Sequence, residues 1–424
     1  MRHLLTPTPT TVRLRPAAGA ALALTALTAL TSLFGPAAMA QSSSSTGPSP
    51  YYLGVSAGYN HASNVYRQAS DANSDNITSY SLLAGLDQPI GRQRLFGDAT
   101  VQRSSYQSNS QLNNTGYSIK GGLDWATIER LSGRLLINNR RSLADYNSST
   151  NGVQPTFGKN IEDNRQAQAI VRLGLVTAFS AEAMAEHRSR SFSATEYNRS
   201  EYSQNIGSLG IYYRPSSAWK FGIAGRYTKG RTPYFFEPVD APAIEDKYTR
   251  KDIDLTAFWA PKGDSTLDAR ISSSRTSHSA TGQNNLSGAT GSLVWNWMPG
   301  GRWSLNTRIA RDSGVETYYL GIAGLNSDLN QVVRSLQSQL NYELTGKLIL
   351  TGGLSFSNVE RSDELVLSSN SRDRNRGYNV GLRWLATRSI ELGCNYNQQQ
   401  RSSSIATYEF DAKTYGCYVQ GTLR

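Results

Sequence analysis

Cysteine, histidine and methionine are all scarce in this chain, with 2 Cys, 4 His and 4 Met among 424 residues. Two cysteines and scattered histidines do not make a metal site, so a resident metal ion is not expected. Beyond residue 40 no apolar stretch approaches the roughly 20 residues that a membrane helix needs, which excludes an inner-membrane span. No glycine-rich loop leads from a strand into a helix, so a phosphate-cradling nucleotide site is absent. No basic cluster interleaved with aromatics marks a nucleic-acid surface, although the net charge is +11. Proline is also sparse, at 14, whereas Gly 37 and Tyr 23, with abundant Ser and Asn, suit strands and turns better than helices.

The first forty residues read as a secretory signal. Arg2, His3, Arg13 and Arg15 make a positive start, the run from Ala17 to Phe34 is apolar, and Ala38-Met39-Ala40 supplies a small-x-small cleavage site before Gln41. The competing reading is an uncleaved membrane anchor; the cleavage site and the threonines that punctuate the run argue against it. Cleavage leaves 40 Lys and Arg against 32 Asp and Glu, a net +8. The expected organisation is a signal peptide over 1–40, a short periplasmic linker over 41–50 and one domain over 51–424.

A mean hydropathy of −0.46 looks water-soluble, but a membrane barrel also averages polar, because only alternate strand residues meet lipid. Eight short connectors recur along the chain, among them LDQPIGRQRLFG (86–97), LDWATIERLSG (123–133), WNWMPGGRWSLN (295–306) and RWLATRSIELG (383–393). Their flanks alternate with period two. Gly291, Leu293, Trp295 and Trp297 fall on one face with Ser292, Val294 and Asn296 on the other; Tyr378, Val380, Leu382 and Trp384 repeat the pattern. Nine longer polar connections, such as 62–76, 233–247 and 401–412, separate the short ones. Seventeen connections imply eighteen strands and put both termini at the short-turn end. This predicts an all-β fold: a transmembrane antiparallel outer-membrane β-barrel with short periplasmic turns and long extracellular loops. A soluble sandwich would have to bury a greasy face on nearly every strand. A parallel β-helix has no need for alternating short and long connections.

Trp125, Trp219, Trp259, Trp297, Trp303 and Trp384 all lie within a few residues of a short turn, where amphipathic rings suit a headgroup layer. They are expected to form a periplasmic aromatic girdle. Centring the Pro299-Gly300-Gly301 hairpin on Gly300 sets Trp297 opposite Trp303 and Trp295 opposite Leu305. Both cysteines, Cys394 and Cys417, lie in the last hairpin, and a loop centred between residues 405 and 406 sets them face to face. In an oxidising compartment such a pair is expected to form a structural disulfide; two free thiols facing lipid are the alternative.

The stretches LGVSAGYNHASNVYR (53–67), DQPIGRQRLFGD (87–98), LNNTGYSIKGGLDW (112–125) and YGCYVQGTLR (415–424) resemble one family. It comprises the outer-membrane β-barrels of exopolysaccharide biosynthesis operons, the EpsL-type proteins of the β-barrel porin 2 group. The resemblance implies a role in moving or assembling a secreted polysaccharide, with polysaccharide export machinery as partner, and it carries over no catalytic residue. The chain departs from the general barrel pattern by ending in Leu423-Arg424 rather than an aromatic residue, which weakens the usual signal for the barrel assembly machinery.

No enzyme is expected. Glu186-His187-Arg188-Ser189 sets a base beside a hydroxyl, but neighbours on a strand point to opposite faces, so they do not meet. The loop SDANSDN (70–76) brings Asp71 and Asp75 together without the ligand spacing of a calcium loop. Lys120, Arg172, Lys220, Arg270, Arg308 and Arg383 alternate with lipid-facing neighbours and should point inward, against Asp87, Asp98, Asp124, Asp254 and Asp268. A basic lining would concentrate an anionic polymer or solute; alternatively these charges pair across strands and fill the lumen. Three functions are open: a channel or scaffold for exopolysaccharide, a porin for small anionic solutes, or a plugged structural barrel. Outer-membrane lipid is the common partner, and no cofactor is implied.

Overall fold

The computed structural model describes residues 49–146, 158–174, 178–236, 242–261, 264–280, 287–313, 331–361 and 371–423. The expected signal peptide, with Ala38, Met39 and Ala40, and most of the 41–50 linker lie outside the described residues.

Period-two alternation resolves into eighteen strands. They are β1 (Tyr51–Ala62), β2 (Asp75–Ile90), β3 (Gln93–Tyr106), β4 (Asn114–Ala126), β5 (Leu131–Leu143) and β6 (Ile161–Gly174). Next come β7 (Phe179–Phe192), β8 (Tyr202–Ser216), β9 (Trp219–Phe236), β10 (Ile244–Trp259), β11 (Ser265–His278) and β12 (Ser287–Trp297). The last six are β13 (Trp303–Ser313), β14 (Gln331–Thr345), β15 (Leu348–Arg361), β16 (Ser371–Leu385), β17 (Ile390–Ser403) and β18 (Phe410–Leu423). Each pairs antiparallel with its sequence neighbours, and β1 also pairs with β18 from Leu53↔Leu423 to Ala62↔Thr414. The sheet therefore closes and has no free edge, which is the condition for burying backbone amides in hydrocarbon.

Burial is inverted relative to a water-soluble protein. Leu209, Ile271 and Leu82 stand outward and exposed, whereas Asp246, Asp312 and Asp373 face inward and are buried. Among the described residues no helix is long and apolar enough to cross a membrane; the strands do so. Several stretches that read as loops are strand. β9 and β10 pair as far as Phe236 and Ile244, and β17 and β18 as far as Arg401 and Phe410. Above the apolar band both faces of a strand are polar, so composition there resembles a loop while the pairing continues.

The Trp-rich hairpin differs from its expected register. Trp297 pairs with Leu305 and Trp295 with Thr307, so the hairpin centres on Gly301 rather than Gly300. The reason is the turn itself. Pro299–Gly301 winds a short 3-10 turn with Gly300 at φ 64 and Gly301 at φ 83, a left-handed pair in a connection two residues longer on its C-terminal side. The shift is two positions in register, so the faces survive. Trp303 then pairs with Tyr342 on β14 instead.

Cys394 and Cys417 are directly opposite in the β17–β18 ladder, with Cα atoms 4.0 Å apart, and form a disulfide on the outward face.

Candidate functional site: the lumen and its extracellular mouth

The six tryptophans near short turns all lie on the outward side of the wall. Trp219 and Trp259 are register partners with ring centroids 5.5 Å apart. Trp303 stacks on Tyr342 at 4.0 Å, and Trp297 on Trp295 at 5.9 Å. Trp125 covers Gly133, where a Cβ would come within 2.6 Å of its ring. Trp384 is the register partner of Leu348 and Leu392.

The six expected cations sit on the opposite parity and face inward, but not as a uniform basic lining. Lys120 is opposite Asp98. Arg172 Nε donates to Glu182 Oε2 at 2.5 Å, and Lys220 Nζ sits 4.0 Å from the centroid of Tyr212. Arg270 lies 3.7 Å from Asp312, and Arg383 lies 3.2 Å from Glu391. Arg308, Arg270 and Lys220 all act electrostatically on Asp268. Cations and acids alternate across this wall, because matched pairs reduce the cost of holding charge away from bulk water.

Strand parity carries further groups into the same wall, which sequence reading had not singled out. Arg134 grips Asp124 through Nε at 2.5 Å and Nη2 at 3.0 Å. Arg226 lies 3.1 Å from Asp254 and 3.5 Å from Asp252, while Arg250 donates to Asp252 at 2.8 Å and to Ser274 at 2.8 Å. Glu186 pairs with Arg188 and accepts from Gln166 at 3.1 Å and Gln168 at 2.7 Å. The signal for these was present: continuing the alternation along β5, β7, β9 and β10 places each on the inward face.

Exposure varies from pair to pair. In the extracellular half, Asp252 and Arg250 retain 0% and 7% of their side-chain surface. Near the short turns, Arg172 keeps 40% and Arg94 keeps 50%, whereas Arg134 keeps only 9% and Arg383 12%. Halfway round the strand order from β7 and β8, the wall changes character. Between the Asp373–Arg401 pair above and the Arg383–Glu391 pair below, β16 and β17 present Asn375, Asn379, Asn395, Asn397 and intervening glycines on the inward parity. The lumen thus has a charged wall and an amide wall.

The extracellular mouth is narrowed on the β1–β5 side by connections that fold onto the inward face. Tyr66, Leu112 and Tyr146 pack with Ala62, Ile77 and Tyr106 from the strand ends, and the Tyr66 and Tyr146 rings meet edge-on at 5.0 Å. Burial pushes both phenols above their ordinary value, so they remain neutral hydroxyls, and Tyr66 donates to Asn109 at 3.1 Å. Asp75 holds the next connection by accepting from the Ser108 and Asn109 amides at 2.9 and 2.8 Å. Its oxygens are committed to these amides, which assigns SDANSDN a clasping role. Arg67 crosses to Asp145 at 3.1 Å and to Gln399 on β17 at 2.7 Å. Of the histidine cluster, His187 faces outward and meets Asn205 at 2.8 Å, with Glu186 on the other side of the wall.

The architecture is similar to that of solved outer-membrane proteins of Pseudomonas aeruginosa. OpdK is 13% identical, over 88% of this chain and 98% of its own, with a TM-score of 0.46. OccK2 (OpdF) is 13% identical over the same shares, with a TM-score of 0.47. OccK2 in complex with glucuronate is 14% identical, over 88% of this chain and 96% of its own, also at 0.47. The chain is a closed antiparallel β-barrel of eighteen strands. No family model and no curated protein matches the sequence, so the EpsL-type resemblance rests on the quoted strands alone.

Proposed function

We propose that the barrel is a non-enzymatic diffusion channel for small acidic solutes that also carry hydroxyl groups. The observation that supports this reading is the two-sided lumen. Partly exposed cations such as Arg172 and Arg270 offer charge-assisted hydrogen bonds to a carboxylate, while the Asn-rich face of β16 and β17 offers amide donors and acceptors to hydroxyls. Because the cations are paired with acids, the channel is expected to favour anions only modestly. Narrowing at the mouth would limit it to small solutes.

The test is reconstitution of the mature barrel in planar bilayers and liposomes. The expected result is steady conductance with weak anion preference, and faster swelling with hydroxy acids than with neutral sugars of equal size. A barrel that passes no current would instead be a structural protein. A second reading, passage or scaffolding of a secreted polysaccharide with its export machinery, draws on the same amide wall and on the strand resemblance. Loss of surface polymer in a deletion strain would favour it over the first.

A further inference from the structure

Residues 41–424 carry a net charge of +8, and in the lumen acids face the cations Arg134, Arg172, Arg270 and Arg383. Much of it stands on the outward face at the extracellular end. Lys251 is the register partner of Arg275 across β10 and β11, and Arg311 is the partner of Arg334 across β13 and β14. All four are exposed. Like charges directly opposite one another destabilise a ladder, so two such pairs in one barrel require an explanation. Among the described residues no carboxylate pairs with Lys251, Arg275 or Arg311. Arg311 reaches only the Ala289 carbonyl, at 2.6 Å. The nearby Glu360 is divided between Arg334 at 3.3 Å and Arg372 at 3.5 Å.

Height locates these pairs in the membrane. On β10, Lys251 lies eight positions from Trp259, with Ile253, Leu255 and Ala257 between them on the same face; on β13, Arg311 lies eight positions from Trp303. Eight residues span about 27 Å of strand, or roughly 20 Å of height at a tilt of about 40°. An apolar band is roughly 25 Å tall, and long basic side chains reach past its edge to the headgroups. The outward surface is therefore bounded by aromatics at the short-turn end and by cations at the extracellular end.

We infer that the paired cations Lys251–Arg275 and Arg311–Arg334 form a docking surface for the phosphate groups of an anionic lipid in the outer leaflet. A phosphate between two opposed cations turns their repulsion into two charge-assisted contacts. Three strand spacings and a four-residue offset along the strand set the two pairs about 20 Å apart, so each can hold a phosphate of its own.

The test is native mass spectrometry of the full mature barrel in neutral detergent, titrated with diphosphorylated lipid A and, separately, with the same lipid stripped of both phosphates. The wild type should retain the phosphorylated lipid only. The Lys251→Gln/Arg311→Gln variant should lose about tenfold in affinity, the loss of roughly one charge-assisted contact. The charge-conserving Lys251→Arg/Arg311→Lys variant should retain it. Equal binding of the dephosphorylated lipid by the wild type would overturn the proposal, as would undiminished binding by a glutamine variant that keeps the heat-modifiable mobility of a folded barrel.

Discussion

Trp303 on β13 lies flat against Tyr342 on β14, their ring centroids 4.0 Å apart and their planes 24° from parallel. The two are register partners, so the stack joins adjacent strands at the short-turn end. An aromatic pair contributes about 0.5–1.5 kcal/mol beyond its area. Trp303→Ala should therefore destabilise the barrel in lipid by roughly 1–3 kcal/mol once lost burial is added, and Trp303→Tyr should restore most of it. Urea unfolding in bilayers followed by tryptophan fluorescence measures this. A Trp303→Ala barrel as stable as the wild type would mean that the stack has no role.

The Cys394–Cys417 bond closes a loop of 23 residues in sequence. Restricting the unfolded chain over such a loop is worth about 3 kcal/mol in the chain-entropy treatment. Cys394→Ser/Cys417→Ser should lower stability by up to that amount while leaving conductance unchanged, since both side chains face away from the lumen. The comparison is unfolding of the oxidised, reduced and double-serine proteins. Alkylation of both cysteines in the unreduced, folded protein would exclude the bond.

Two lumen substitutions should separate stability from selectivity. Asp252 is buried beside Arg250 and Arg226, so Asp252→Asn removes a carboxylate from a buried charge network, and breaking such a buried pair costs about 3–5 kcal/mol. Arg172→Ala acts on a pair that is far wetter, with 40% of the Arg172 side chain exposed, and should cost no more than about 1 kcal/mol. It would free Glu182 in the channel, so reversal potentials across a salt gradient should shift toward cations. If Arg172→Ala left the reversal potential unmoved, the periplasmic half of the lumen would not be contributing to selectivity.

How much of this was legible depended on whether one face of a strand was marked by apolar residues. Where Leu293, Trp295 and Trp297 or Tyr378, Val380 and Leu382 marked it, parity and strand number followed, and so did the face-to-face cysteines, whose register needs only the loop centre. The Trp hairpin was misregistered because two left-handed glycines lengthened its turn, a conformational matter that composition does not encode. The basic excess was assigned to the lumen because parity was followed only beside apolar neighbours. At Lys251, Arg275, Arg311 and Arg334 the outward face itself turns polar. Of the acids that neutralise the lumen, Glu182 and Asp312 lie on strands other than those of their partners Arg172 and Arg270, so only the assembled ladder reveals those pairs.

The mouth offers the most direct control of flux. Leu112 is fully buried among Tyr66, Tyr106 and Tyr146, and this small apolar cluster joins three extracellular connections on the inward side of the barrel. A carboxylate there would be desolvated without a partner, a cost that such a cluster avoids by opening. The strands below are held by their own ladders, so opening should remain local. Leu112→Asp is therefore expected to raise single-channel conductance and liposome swelling rates while leaving the folded barrel's gel mobility intact. Arg67→Ala, which removes the bridge to Asp145 and Gln399, should move conductance in the same direction by a smaller amount. Bilayer recordings of the two variants beside the wild type would decide the matter: unchanged conductance in both would show that the cluster lies clear of the solute path, and a fall would show that these connections prop the mouth open.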